Sequence, residues 1–426
     1  MKKAVQFKVL VVLALLFAFL AQAVLCVQAK ADTLKPEKWV YYYTGDLSGP
    51  MGPLNGATIP ALKDFCQWYN SEKGGIKGVP IDIVVRDNGG ETTKGVAAYE
   101  EFRLIKPKPA MGSFHPAYVG EALKDRLAED KILNFFNTAS NPILFPVGWL
   151  VGCCPSYPSS VAAMMLWVQK QPQWKDKKIK VGLLTWDNSF GKGIFDPELR
   201  KWFKQQKNME LVAEEVFSPK DVDVSTQVIR LKNKGVNWII DNTIGNGPVV
   251  VSKTLNSMGL LATDINDTSP NKIHRATCVW GTGPEVLKIG GPVMEGLIGP
   301  RPWVTWDETD HPAVKFVTEQ MKKNNRDTRL MSDVYLIKWA KMALITQIVE
   351  KIVNEKGWEG VTGENFRREL LNTRKCSVLH GMTVFDFDPN YPMMKSIKVY
   401  AVKNGKMLPV SEMHEMPDLR PPQYKK

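Results

Sequence analysis

The side chains able to do chemistry are few and scattered. The five histidines, His115, His274, His311, His380 and His414, are dispersed along 426 residues. None lies in a His-Glu-x-x-His helix, and the chain has no Gly-x-Ser-x-Gly turn, so no nucleophile or metal cluster is written into local spacing. Cys66, Cys153, Cys154, Cys278 and Cys376 follow a sixth cysteine, Cys26, near the start. No Cys-x-x-Cys occurs, and the vicinal pair Cys153-Cys154 suits neither an ordinary zinc site nor a bridge to itself. The expectation is therefore no metal, no cofactor and no catalysis. Binding is the chemistry left, and the chain has strand-flanking loops, 112–118 and 137–142 among them, whose hydroxyl, amide and imidazole groups suit it. Trp186 and Phe190 offer an aromatic wall. Asp241 to Gly247 places Ile244 just ahead of Gly245 and Gly247, which permit close backbone approach, without the third glycine of a dinucleotide fingerprint.

These loops sit between alternating strand-like and helix-like segments, the pattern of a parallel sheet with helices on its faces. Strands are expected at 39–43, 81–86 and 132–136, with a short one into Gly112, and helices at 56–69, 96–105 and 118–129. After a loop-rich stretch the pattern restarts. Helices are read at 161–169, 194–206, 225–234 and 249–258, and strands at 179–185, 211–217 and 238–242. The Gly/Pro-rich segment 290–302 reads as a return crossing, 310–355 as two helices, and 383–387 and 397–402 as strands. The fold class is thus α/β, two doubly wound lobes with a hinged cleft between them. The first lobe is expected from 32–152 with 299–374 and the second from 153–298 with 375–410, followed by a tail, 411–426. Ligands bind such sheets at the carboxyl ends of strands.

Lys2, Lys3 and Lys8 precede a run from Val9 to Val27 whose only polar member is Gln22, and Ala29-Lys30-Ala31 supplies small residues for cleavage. Residues 1–31 therefore read as a secretory leader, with an uncleaved anchor or a lipid on Cys26 as the other options. Their removal takes away four lysines and no acid, lowering the formal charge from +12 to +8. So mild an excess, with basic clusters such as Lys322-Lys323 lacking interleaved aromatics, does not make a nucleic-acid surface.

The chain resembles the type I periplasmic solute-binding proteins of ABC transporters, in the branched-chain amino-acid-binding family. The likeness is carried by Gly45-Asp46-Leu47-Ser48-Gly49-Pro50-Met51-Gly52 after the first strand, and by Asn70 through Gly74-Gly75-Ile76-Lys77-Gly78 at the end of the next helix. Ser189-Phe190-Gly191 and Asp223-Val224-Ser225 continue it in order, over roughly residues 39–300. The resemblance implies a periplasmic receptor that closes on a small solute and hands it to a membrane permease. A ligand carboxylate is then expected at Thr138 and Ser140, with Ser48, His115, Tyr118, Trp186, Phe190 and Ile244 around it and Asp267 facing an ammonium. The serines usual around Pro116 and Ala117 are missing, which leaves an amide or an aromatic or aliphatic carboxylate as alternatives to an amino acid. An extracytoplasmic sensing domain and a secreted hydrolase are the competing functions.

Overall fold

The computed structural model describes residues 35–49, 51–137 and 140–425. The leader, residues 1–31, and Thr138 lie outside them. The first sheet holds five parallel strands, β1 (Trp39–Gly45), β2 (Ile81–Asp87), β3 (Met111–Phe114), β4 (Leu133–Phe136) and β5 (Leu150–Gly152), in the order β2-β1-β3-β4-β5. Parallel neighbours require crossovers, and helices Thr58–Lys73 and Thr92–Arg103 supply two of them. Helix Thr58–Lys73 buries Leu62, Phe65 and Tyr69 and stops at Gly74, whose φ of 70° lets its N–H close on the Tyr69 carbonyl.

The second sheet runs β14-β13-β10-β9-β8-β6-β7, with β15 pairing β13. Its strands are β6 (Ile179–Trp186), β7 (Met209–Phe217), β8 (Trp238–Asp241), β9 (His274–Thr277), β10 (Ile298–Arg301), β13 (Ser396–Lys403), β14 (Lys406–Pro409) and β15 (His414–Glu415). Strands β6 to β10 are parallel, whereas β13 and β14 return antiparallel. The ribbon of β11 (Cys376–Val378) and β12 (Thr383–Phe385) stands apart from both sheets.

Two lobe boundaries differ from those read in the sequence. Segment 290–302 is not a bare crossing, because Ile298–Arg301 forms β10 between β9 and β13. Pro300 is tolerated there because β9 pairs with β10 only at Ile298, so the missing N–H costs no ladder bond. Residues 376–387 pack with the first lobe: Phe135 of β4 meets Phe385 at 6.3 Å and Phe387 at 5.9 Å. The chain therefore returns to the second lobe after Phe387, and β9, unread in the sequence, completes that lobe's sheet.

The lobes are joined by three crossings, at 153–156, just after β10, and at 388–395. The first and third run together: Gly152 N–H donates to the Pro392 carbonyl at 2.9 Å and Met394 N–H to the Cys154 carbonyl at 3.2 Å. The last residues lie over this joint. Asn141 of the first lobe donates through Nδ2 both to Asp196 of the second lobe and to the Leu419 carbonyl, each at 3.0 Å, and Tyr424 stacks on Phe145 at 5.4 Å. Among the described residues no helix is long and apolar enough to cross a membrane.

Candidate functional site

Between the lobes lies a cavity of about 170 Å³. The first lobe contributes Tyr43 near the end of β1, Met51, Leu54 and Asn55 after it, His115 to Tyr118 after β3, and Asn137 after β4. Asn188, Ser189 and Phe190 follow β6, Ile244 follows β8 and Trp280 follows β9. Val334 closes the wall from helix Asp333–Lys356. Almost every wall residue thus comes from the carboxyl end of a parallel strand, where open α/β sheets leave backbone and side chains free to meet a ligand.

The sequence-predicted residues divide into two groups. His115, Tyr118, Phe190 and Ile244 are brought together on the cavity wall. His115 is buried, its ring lies 5.5 Å from that of Tyr43, and its Nε2 has no hydrogen-bond partner. Burial first, then the nearby Lys338 and Lys341, hold its pKa well below the usual imidazole range, so the ring is neutral. Tyr118 donates its hydroxyl to the Gly90 carbonyl at 2.7 Å.

The others are not on that wall. Trp186 ends β6 buried, in ring contact with Phe190 at 6.4 Å. Ser140 is buried at the start of the short helix Asn141–Leu144, and its carbonyl accepts the N–H groups of Ile143 and Leu144. Ser48 is exposed after β1, where partial desolvation of Asp87 is outweighed by hydrogen bonds from the Ser48 hydroxyl and neighbouring amides, leaving that carboxyl below its ordinary range. Asp267 lies at the opposite end of the second sheet. Its carboxylate accepts Ser269 N–H at 3.1 Å, and its carbonyl accepts from Nε2 of His274, the first residue of β9. The ammonium role given to it fails on this placement, because the cavity is at the strands' other ends.

Tyr43, Asn55, Asn137, Asn188 and Trp280 are also on the wall without having been singled out. The strand-end rule marks Tyr43 and Asn188, and Trp280 follows from the same rule once β9 is recognised. Among the described residues no group of three or more His, Cys, Asp or Glu is placed to hold a metal ion. All five cysteines in the described residues are free thiols.

The sequence profile of the periplasmic binding protein family matches residues 43–406. The chain belongs to that family. It is 24% identical over 287 residues to Leu/Ile/Val-binding protein homolog 3 of Brucella melitensis, an alignment covering 66% of this chain and 70% of that protein. Among solved structures it is similar to a branched-chain amino acid ABC transporter protein of Thermus thermophilus with bound valine, at TM-score 0.76 and 18% identity, covering 90% of this chain and 98% of the other. A fatty acid ABC transporter substrate-binding protein of Thermomonospora curvata matches at TM-score 0.71 and 18% identity, over 91% and 94% of the two chains. At these identities the structural likeness establishes the two-lobed type I fold of this periplasmic binding protein.

Proposed function

We propose that this binding protein is an extracytoplasmic receptor that captures a small organic solute by closing its lobes and delivers it to the membrane permease of an ABC transporter. The solute class is an amino acid, an amide, or an aromatic or aliphatic carboxylate. The observation that carries the reading is the shared wall, with His115, Tyr118 and Asn137 on one lobe and Phe190, Ile244 and Trp280 on the other. A ligand touching both sides stabilises the closed arrangement by its differential affinity, and the closed shape is then what a permease recognises. The relatives support this: one is named for leucine, isoleucine and valine binding, one was solved with valine, and one serves a fatty acid transporter. The leader read in the sequence agrees with work outside the cytoplasm.

The test is a thermal-shift screen of the protein without residues 1–31, followed by small-angle scattering with each hit. A ligand at about one hundred times its Kd adds about 2.7 kcal/mol of apparent stability. A true solute raises Tm and reduces the radius of gyration. Hydrolysis of esters or amides with sustained product release, and no change in radius, would replace the receptor with an enzyme.

A further inference from the structure

We infer that the interlobe cavity takes a monocarboxylate with a compact apolar body and no ammonium group, its anionic end turned to Asn137 and His115 and backed by Lys338. This rests on the receptor reading above and narrows its solute class.

The argument begins with what the lining groups have left to offer. The Asn137 Oδ1 accepts from Cys153 Sγ at 3.0 Å, and the Asn188 Oδ1 accepts Gly191 N–H at 2.8 Å. Each amide oxygen thus already accepts one bond from the protein and keeps one lone pair, while its two Nδ2 hydrogens remain as donors for a ligand. His115 Nε2 is buried without a partner and donates when the ring's proton sits there. The remaining acceptors are neutral. Asn55 donates Nδ2 to the Asp46 carbonyl, leaving its own Oδ1, and Tyr118 keeps its oxygen lone pairs.

Charge points the same way. None of the described residues lining the cavity is Asp, Glu, Lys or Arg. Asp46 flanks Gly90 alongside Tyr118, but its two oxygens accept Gly49 N–H at 2.7 Å and Met51 N–H at 2.9 Å. Behind the wall stand two buried lysines of helix Asp333–Lys356. Lys338, one turn beyond Val334, places Nζ 4.4 Å from the Tyr43 ring centroid, is 1% exposed and forms no ion pair with any described residue. Lys341 donates to Ser113 Oγ at 2.7 Å and to the Phe135 carbonyl at 2.6 Å. An ammonium brought here would find two lysines behind the wall and no carboxylate among the lining residues, whereas a carboxylate gives Lys338 an anionic partner. The cavity volume of about 170 Å³ is near the roughly 150 Å³ that holds a benzene ring in a dry protein cavity, which sets the body at one ring or a short branched chain.

Proton uptake follows. The groups facing Lys338 are Tyr43 of β1, His115 after β3, Lys341 on its own helix and Cys153 and Cys154 of the first crossing. Burial, then Lys341, hold Lys338 well below the usual lysine range, and an arriving carboxylate favours its protonated form. Carboxylate affinity therefore falls as pH rises through the range in which Lys338 titrates, and neutral-amide affinity does not.

Isothermal titration of the full chain with matched pairs tests this: 4-methylpentanoate against leucine, 3-phenylpropanoate against phenylalanine, and 3-phenylpropanamide as the neutral control. The acids are expected to bind at least about tenfold tighter than their α-amino counterparts, with proton uptake seen by comparing two buffers of different protonation enthalpy. Lys338→Met should weaken the acids about tenfold and leave the amide unchanged, and Asn137→Asp should weaken the acids by at least as much. The wild-type pairs decide the matter even if Lys338→Met does not fold. An amino acid that binds as tightly as its deaminated partner, with lobe closure in scattering, overturns the inference and leaves the receptor intact. Binding by no member of either class, with no closure, removes the receptor reading and the inference with it.

Discussion

Arg301 and Asp333 form a buried ion pair across the interlobe joint. Arg301 closes β10 in the second sheet, Asp333 opens the helix that packs on the first lobe, and their side chains are 0% and 3% exposed. Arg301 also donates Nη1 to Thr282 Oγ1 at 2.6 Å. Glu285 lies close enough that burial, then the Asp333 charge, raise its carboxyl to about 7. The joint is thus held by charge as well as by the apolar core that runs through both lobes.

Removing one partner strands the other. Asp333→Ala is expected to cost about 3–5 kcal/mol in urea unfolding, while the double variant Arg301→Met/Asp333→Leu recovers most of that loss, because the desolvation penalty goes with the charges. A double variant as unstable as the single one would mean that the pair itself, and not the stranded charge, sets the cost.

Wall and support residues should separate in their effects. Phe190→Ala is expected to weaken solute binding about tenfold to a hundredfold, in line with the burial of one large apolar side chain, and to change stability less. Trp186→Ala, in the core, should cost about 3–5 kcal/mol of stability. Ser140→Ala should alter affinity little. Titration calorimetry beside urea unfolding reads both quantities, and equal affinity loss at Phe190 and Ser140 would move the site.

Asp241 should make the protein less stable as pH rises. It ends β8 at 2% exposure, and its Oδ1 accepts from Thr243 N–H at 3.2 Å and from the Thr277 hydroxyl at 2.7 Å. Burial outweighs these bonds and raises its carboxyl to about 6. The folded pKa is above the unfolded one, so the contribution is complete below about pH 4 and lost as pH climbs through about 6, a change of about 3 kcal/mol. Asp241→Asn, which keeps the accepting oxygen, should flatten the stability profile over that window.

His274 has the opposite slope. Its ring stacks on Trp238 at 4.8 Å, and burial lowers its pKa to about 4 despite the bond to the Asp267 carbonyl. A depressed folded pKa gives stability that is present above about 6.5 and lost as pH falls through about 4, again about 3 kcal/mol. His274→Gln should remove this acid sensitivity in unfolding followed by tryptophan fluorescence.

The lobes were legible because strand and helix alternate with clear turn residues between them, as at Gly74-Gly75. Strand β9 was not, since three of its four residues, His274, Arg275 and Thr277, are polar, and the first two are buried against Trp174, Trp238 and Ser252. That omission also misplaced Asp267, whose loop enters β9 at its amino end. His115, Tyr118, Phe190 and Ile244 could be reached from strand ends alone. Lys338 and Lys341 could not, because lysines on a long helix read as a solvated face, and only the packing of that helix against β1 and β3 turns them inward.

The tie between Asn141 and Leu419 has a consequence for how the molecule is built during synthesis. Asn141 waits for a carbonyl that is made 278 residues later, and Phe145 waits likewise for Tyr424. An emerging polypeptide can assemble each sheet's early strands in turn, yet the seam over the joint is sewn only once residues 414–424 have arrived. This part of the joint therefore forms late, and shortening the stretch should leave both halves formed but less tightly set against each other.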